Sequence, residues 1–313
     1  MSNESTFSRR TLLKGVALAG SMVTLPSIAS AAKETLNESG EATTLAEVAY
    51  SPNAKVTIER RGTIALIGIN RPYIHNRIDP ETFTALGRAY YDYDHDPSLR
   101  AAVLFGHGDN FSRGIDVDGF RPLVRAGQPL ISGDKVIDPL GKTDTPHLTK
   151  PLIVVVHGDT WNMAHEIHLV ADIRIAAADT RFGQDENTHG RFPGGGSTVR
   201  FVHEAGWGNA MRYMLTGDHW SAEEAYRMRV VQEVAPNSKE ALARGIAIAE
   251  KISACGPLGI KTSLVSAHLA LDPSQSEALS KLDAQFGTLF HTRDFQEGRD
   301  AEAQGRPPVY IGS

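Results

Sequence analysis

Cysteine is almost missing from this chain. Its 313 residues hold one, Cys255, so no internal disulfide and no cysteine-built metal centre can form. Cys255 itself is expected to be a small, buried or half-buried apolar residue. Basic charge is not in excess. Thirty-two Lys and Arg stand against 37 Asp and Glu, a net charge of -5, and there is no long basic run. That balance argues against a nucleic-acid partner. No apolar run is long enough to cross a bilayer. No segment repeats at a fixed period, which excludes repeat architectures. At 41% hydrophobic and 22% charged, the rest is an ordinary globular composition with material for a core.

The N-terminus is a different kind of sequence. Arg9 and Arg10 open a basic segment with Lys14, an apolar run covers 15–25, and Ala29-Ser30-Ala31 forms a small-x-small cleavage site. The run is too short to anchor, so residues 1–31 read as a twin-arginine-type export signal. The mature protein is then expected in the periplasm or outside the cell, with no membrane span, and in the cytoplasm if the signal does not function. Residues 32–53 are small and polar and read as a flexible lead-in.

From residue 54 onward, short apolar runs alternate with helical patterns, which predicts an α/β fold. "VTIERRGTIALIGIN" (56–70) reads as two strands, and "AAVLFG" (101–106), "PLIVVVHG" (151–158) and "IRIAAA" (173–178) as buried ones. Runs apolar on both faces suit a sheet covered on both sides. Asp79-Pro80-Glu81 is a helix start. Residues 116–150 are broken by Pro122, Pro129, Pro139, Pro146 and several glycines, which predicts a mobile stretch near the substrate entrance. Ser221 opens a helix with a capping box. "VVQEV" (230–234) reads as a strand, and helices are expected over 239–253, 257–271 and 274–290. Thr292 is expected to cap a last helix that Gly305 closes.

Two stretches run from a strand through a glycine turn into a helix: "VLFG" to "FSRGIDV" (103–117), and "VVVHGDTWNMAHEI" (154–167). In the second, Asn162 can cap the helix, which leaves N–H groups free at its positive end. Two such N–H groups could hold an oxyanion. Glu166 lies in that helix start and Glu186 follows a strand twenty positions on. The residues alone leave open whether they are a catalytic pair or two solvated acids. His165 and His168 lie three apart, the wrong spacing for a zinc helix. No third ligand is evident, so no metal is expected.

The stretches "ALIGINRP", "FSRGIDV", "KPLIVVVHG…HEIHLVADIRIAAADTRFGQDE", "PGGGSTVRF", "LTGDHWSAEEAYRMRVVQEV" and "TRDFQEGRDAEAQGRPPVY", in this order, resemble the crotonase superfamily, the enoyl-CoA hydratase/isomerase family. The resemblance implies a crotonase-like ββα spiral core over 54–235. It also implies a C-terminal helical oligomerisation region over 236–313, part of the same domain, in a homotrimer or hexamer. It places Glu166 and Glu186 on the two catalytic glutamates and the Ile115 and Met163 N–H groups on the oxyanion hole. Gly114 and Asn162 fall beside substrate. A small-molecule substrate, possibly an acyl-CoA, is implied, with no other cofactor.

The chain also departs from the family pattern. Arg113 stands where a small residue is usual. Asn162, Met163 and Ala164 replace three glycines, and His189 and Arg191 replace aliphatic residues. Arg71 and Arg77 are kept where phosphate contacts are expected. Two alternatives remain open on these grounds. One is a CoA-independent β-diketone C–C hydrolase, whose acid/base group would fall on Gly195. The other is a non-catalytic binding protein, in which the two glutamates would point apart.

Overall fold

The structure, a computed structural model, describes residues 53–142, 147–280 and 282–310. The expected export signal and nearly all of the lead-in lie outside them. Among the described residues, nine strands form two sheets: β1 (Val56–Arg61), β2 (Ile64–Ile69), β3 (Ala101–Gly106), β4 (Leu152–Val156), β5 (Asp159–Trp161), β6 (Ile173–Ala177), β7 (Arg181–Gly183), β8 (Trp220–Ser221) and β9 (Glu233–Ala235). The larger sheet runs β1-β2-β3-β4-β6-β9; only the β1–β2 hairpin in it is antiparallel. The smaller sheet is β5-β7-β8. The described residues also form ten α-helices: α1 (Pro80–His95), α2 (Val117–Arg125), α3 (Met163–His168), α4 (Ser197–Ala205), α5 (Trp207–Thr216), α6 (Ala222–Arg227), α7 (Ser238–Ser253), α8 (Pro257–Ser280), α9 (Leu282–Phe290) and α10 (Arg293–Gln304).

Side-chain alternation sorts the central strands onto two cores. Ile64, Leu66, Val103, Ile153, Val155 and Ile175 face α7, with its Ala241 and Ala249. Gly245 lets that helix lie close, because a Cβ there would stand 2.5 Å from Val155. Ile67, Ile69, Leu104, Val154 and Val156 face the other core, which holds α1 and the elements of the site. Burial on both faces explains why these strands are apolar without interruption.

Asp79 caps α1 as expected, accepting from Thr82 N–H at 2.8 Å, and Thr292 and Gly305 bound α10. Several expectations need correction. Residues 257–280 form one helix, α8, straight through Pro273, where two helices were expected. The broken stretch after Asp116 contains α2, which keeps Pro122 inside it. The last strand is 233–235. Ser221 accepts from Glu224 N–H, but the Glu224 carboxylate turns to Arg227 and the Tyr213 hydroxyl, so the box does not close. Cys255 is exposed. Arg71 is buried and paired with Asp79 at 3.1 Å, which takes it out of reach of a phosphate.

Candidate active site

The two glycine turns meet. Gly114, with φ of 78°, ends the first, and a Cβ there would stand 2.5 Å from Trp161 O and 3.2 Å from Met163 N. Only glycine allows that approach. The turn is tied down on its other side. Ser112 Oγ donates to Asn76 O and accepts from Gly114 N–H, while Ile78 N–H donates to Gly114 O and Asp116 N–H to Ile78 O. Those bonds engage the peptides on either side of Ile115. Neither Ile115 N–H nor Met163 N–H has a partner among the described residues, and both residues line one cavity.

Asn162 precedes α3, but its side chain does not cap the helix. Its backbone stands at φ 54° and ψ -121°, a region that favours glycine. The side chain holds it there: Nδ2 donates to Asp185 Oδ1 at 2.8 Å and Oδ1 accepts from Asp185 N–H at 3.0 Å. The missing glycine is thus replaced by a side-chain clamp onto the segment that carries Glu186. Asp185 also meets His219 at 3.2 Å.

Glu166, in the first turn of α3, is buried. Its Oε1 accepts from Gly195 N–H at 2.7 Å and Ser197 N–H at 3.3 Å. These donors belong to the start of α4, whose positive end favours a carboxylate. Gly195 is there for close approach, since a Cβ would stand 2.2 Å from Glu166 Oε2. Burial pushes the Glu166 carboxyl up. The Ser197 and Gly195 N–H groups and the Lys142 and Arg200 charges oppose it without cancelling it.

Glu186 begins the short 3₁₀ turn after β7 and is also buried. Its Oε1 accepts from Gln184 Nε2 at 2.9 Å; its Oε2 is buried without a partner. Burial first, then the charge of Glu166, pushes this carboxyl well above its ordinary value. Gln184 joins the two acids. Its Oε1 accepts from Ser197 Oγ at 2.8 Å and from His165 Nδ1 at 2.5 Å. Burial pushes His165 down to about 4, so the ring is neutral at pH 7 with its proton on Nδ1. His165 and His168 stack 5.7 Å apart. Among the described residues, no cluster of three potential ligands could hold a metal.

The cavity measures about 350 Å³. Glu166, Glu186, Ile115, Met163 and Asn162 all line it, and Val117, Phe120 and Val124 of α2 and Phe290 of α9 give it apolar walls. Gly114 lies just behind. The acids therefore do not point apart, as a non-catalytic reading expected. Gly195, where the diketone hydrolase would need an acid, serves Glu166 with its N–H. Gln184 and Ser197 are not singled out by the sequence and become visible only when the turns fold together, while the wall from α2 falls in the stretch expected near the substrate entrance, as a helix. Such an arrangement can hold a carbonyl oxygen on two N–H groups and move protons at two carboxyls.

Comparison with known proteins agrees with the geometry. The family model for enoyl-CoA hydratase/isomerase matches residues 59–312. Enoyl-CoA hydratase EchA19 of Mycobacterium tuberculosis is 34% identical over 85% of this chain and 99% of its own length. The (E)-benzylidenesuccinyl-CoA hydratase of Thauera aromatica is 30% identical over 82% and 99%. The crystal structure of carnitinyl-CoA hydratase from Mycobacterium avium superposes with a TM-score of 0.74 at 27% identity, over 83% of this chain and 99% of that one. With a crotonase-type α/β fold and a match over most of its length, the chain belongs to the enoyl-CoA hydratase/isomerase family.

Proposed function

We propose that this enzyme adds water across the Cα=Cβ bond of an enoyl-CoA, or shifts that bond, through an enolate held by Ile115 and Met163 N–H. The observation that carries this reading is the unequal pair of buried glutamates on one cavity. Glu166, supported by the N-terminus of α4, is the group that stays ionised. It takes a proton from water as the oxygen bonds to Cβ. The electrons move to the thioester oxygen, where the two N–H groups stabilise the negative charge. Glu186, kept protonated by burial and by Glu166, then gives its proton to Cα. The hydroxyl and the proton of the added water are thereby accounted for, and the proton left on Glu166 returns to Glu186 for the next cycle. No metal or redox group is needed. The exposed Leu258 and Val265 of α8 support assembly into a trimer or hexamer, which light scattering would test.

The deciding experiment follows loss of the conjugated thioester absorbance of crotonyl-CoA with the wild type, Glu166→Gln and Glu186→Gln. Each variant should lose roughly 10²-fold or more in kcat. Wild-type turnover that survives either substitution would overturn the pair.

A further inference from the structure

Arg191 is a buried cation without an ion-pair partner among the described residues. It is 9% exposed and lines the same cavity as Glu186. Its Nε is buried with no hydrogen-bond partner, and no acid of the described residues comes within ion-pair distance of its guanidinium. Three acids act on it from further away: Glu302, Glu186 and Asp185. None is available. Glu302 faces Arg299 at 3.2 Å. Asp185 is held by Asn162 and His219. Glu186 is the acid that burial keeps protonated. Arginine does not escape by losing its proton, and a buried charge with no counter-charge is costly. Nothing in the packing of the described residues explains such a residue.

A ligand explains it. We infer that Arg191 receives a carboxylate on the acyl chain, so that the preferred substrate is an enoyl thioester bearing a second, anionic end. The guanidinium fork pairs with a carboxylate by two parallel hydrogen bonds, a geometry a neutral chain end cannot use. The position fits the acyl part of the substrate. Arg191 N–H donates to Glu186 O at 2.9 Å, so the cation rides on the same turn as the acid that would protonate Cα. The rest of the wall is largely apolar, with Phe120, Val124 and Phe290. It suits the hydrocarbon between the double bond and the charged end. This inference rests on the thioester reading above.

The test separates binding from turnover. Affinities of glutaryl-CoA and its longer homologues are compared by calorimetry with methyl-terminated acyl-CoAs of equal length, for wild type, Arg191→Met and Arg191→Lys. In parallel, kcat/KM is measured for glutaconyl-CoA and its longer homologues against methyl-terminated enoyl-CoAs. The wild type should favour the carboxylated member at one chain length by about 10-fold or more in both measurements. Arg191→Met should abolish the preference, and Arg191→Lys should keep part of it. A merely structural role would weaken both members together and leave their ratio unchanged. Equal affinity at every length in the wild type, or a preference that survives in Arg191→Met, overturns the inference. Turnover of crotonyl-CoA with no preference sinks this inference and leaves the hydratase reading standing. Preferential binding without turnover of any enoyl thioester does the reverse. Binding of no thioester at all removes both.

Discussion

On the α3–α4 side of the cavity, a carboxylate meets two backbone N–H groups at a helix start, with Lys142 and Arg200 adding positive charge. On the β7 side, a carboxylate of the same kind meets one amide N–H and leaves its second oxygen buried and unpaired. Both are removed from water, and burial pushes both upward. What differs is the supply of donors to the charged form. The side rich in donors opposes the upward push on its acid, and the poor side, facing the first charge, has its acid pushed further up. In the mechanism proposed above, acid and base would thus be set by backbone placement rather than by residue type.

The sharpest way to break this contrast is Gly195→Ala. The new Cβ would stand 2.2 Å from Glu166 Oε2 and 2.6 Å from its Cδ. Glu166 would have to leave its two N–H donors, and its pKa would rise toward that of Glu186. With no base, kcat should fall by roughly 10²-fold, while circular dichroism keeps the wild-type signature. Unchanged turnover would show that the α4 start does not set the base.

A smaller effect comes from the other side. Gln184→Met removes the side-chain donor to Glu186 and strands Ser197 Oγ and His165 Nδ1. Losing a donor to the charged form raises the Glu186 pKa further. The alkaline limb of the kcat profile, where the acid form of Glu186 is lost, should therefore move to higher pH. The acidic limb, set by Glu166, should stay above the ordinary glutamate value. These limbs belong to the pair as macroscopic values. The accompanying loss in kcat should be about 10-fold. A shift of the acidic limb alone would reverse the assignment of acid and base.

Much of the fold was legible. Strand runs apolar on both faces, Asp79-Pro80, Thr292 and Gly305 carry their structure in local chemistry, and the structure places them as expected. What was not legible depends on distant partners. Pro273 should end a helix by local rules, yet α8 runs through it. Asn162 reads as a helix cap by local chemistry because its side chain suits that role; Asp185, twenty-three residues on, claims it instead. Arg71 looked available for phosphate until Asp79 folded against it. The family motifs brought Glu166 and Glu186 into view. Gln184, which connects them, sits beside Glu186 in the chain, but its task depends on Ser197 and His165, and no local pattern announces that.

The last contrast concerns stability, and its sign follows from the same carboxyl. Glu186 holds its proton in the folded chain to a pH well above that at which the unfolded chain releases it. Between those two values the native state binds more protons than the unfolded state, so stability falls as pH rises through the window. Below the unfolded value both forms are protonated, and the group contributes no such loss. Glu186→Gln keeps the size and the acceptor for Gln184 Nε2 but cannot ionise. The melting temperatures of wild type and variant should therefore coincide near pH 4 and part as pH rises, with the variant higher by roughly 2–4 °C at neutral pH. Glu166→Gln should show a weaker separation, or a net loss, because the N–H groups of Gly195 and Ser197 favour the charge it removes. Parallel curves for Glu186→Gln and wild type across that range would mean that Glu186 ionises as readily folded as unfolded, and the division of labour between the two glutamates would lose its physical basis.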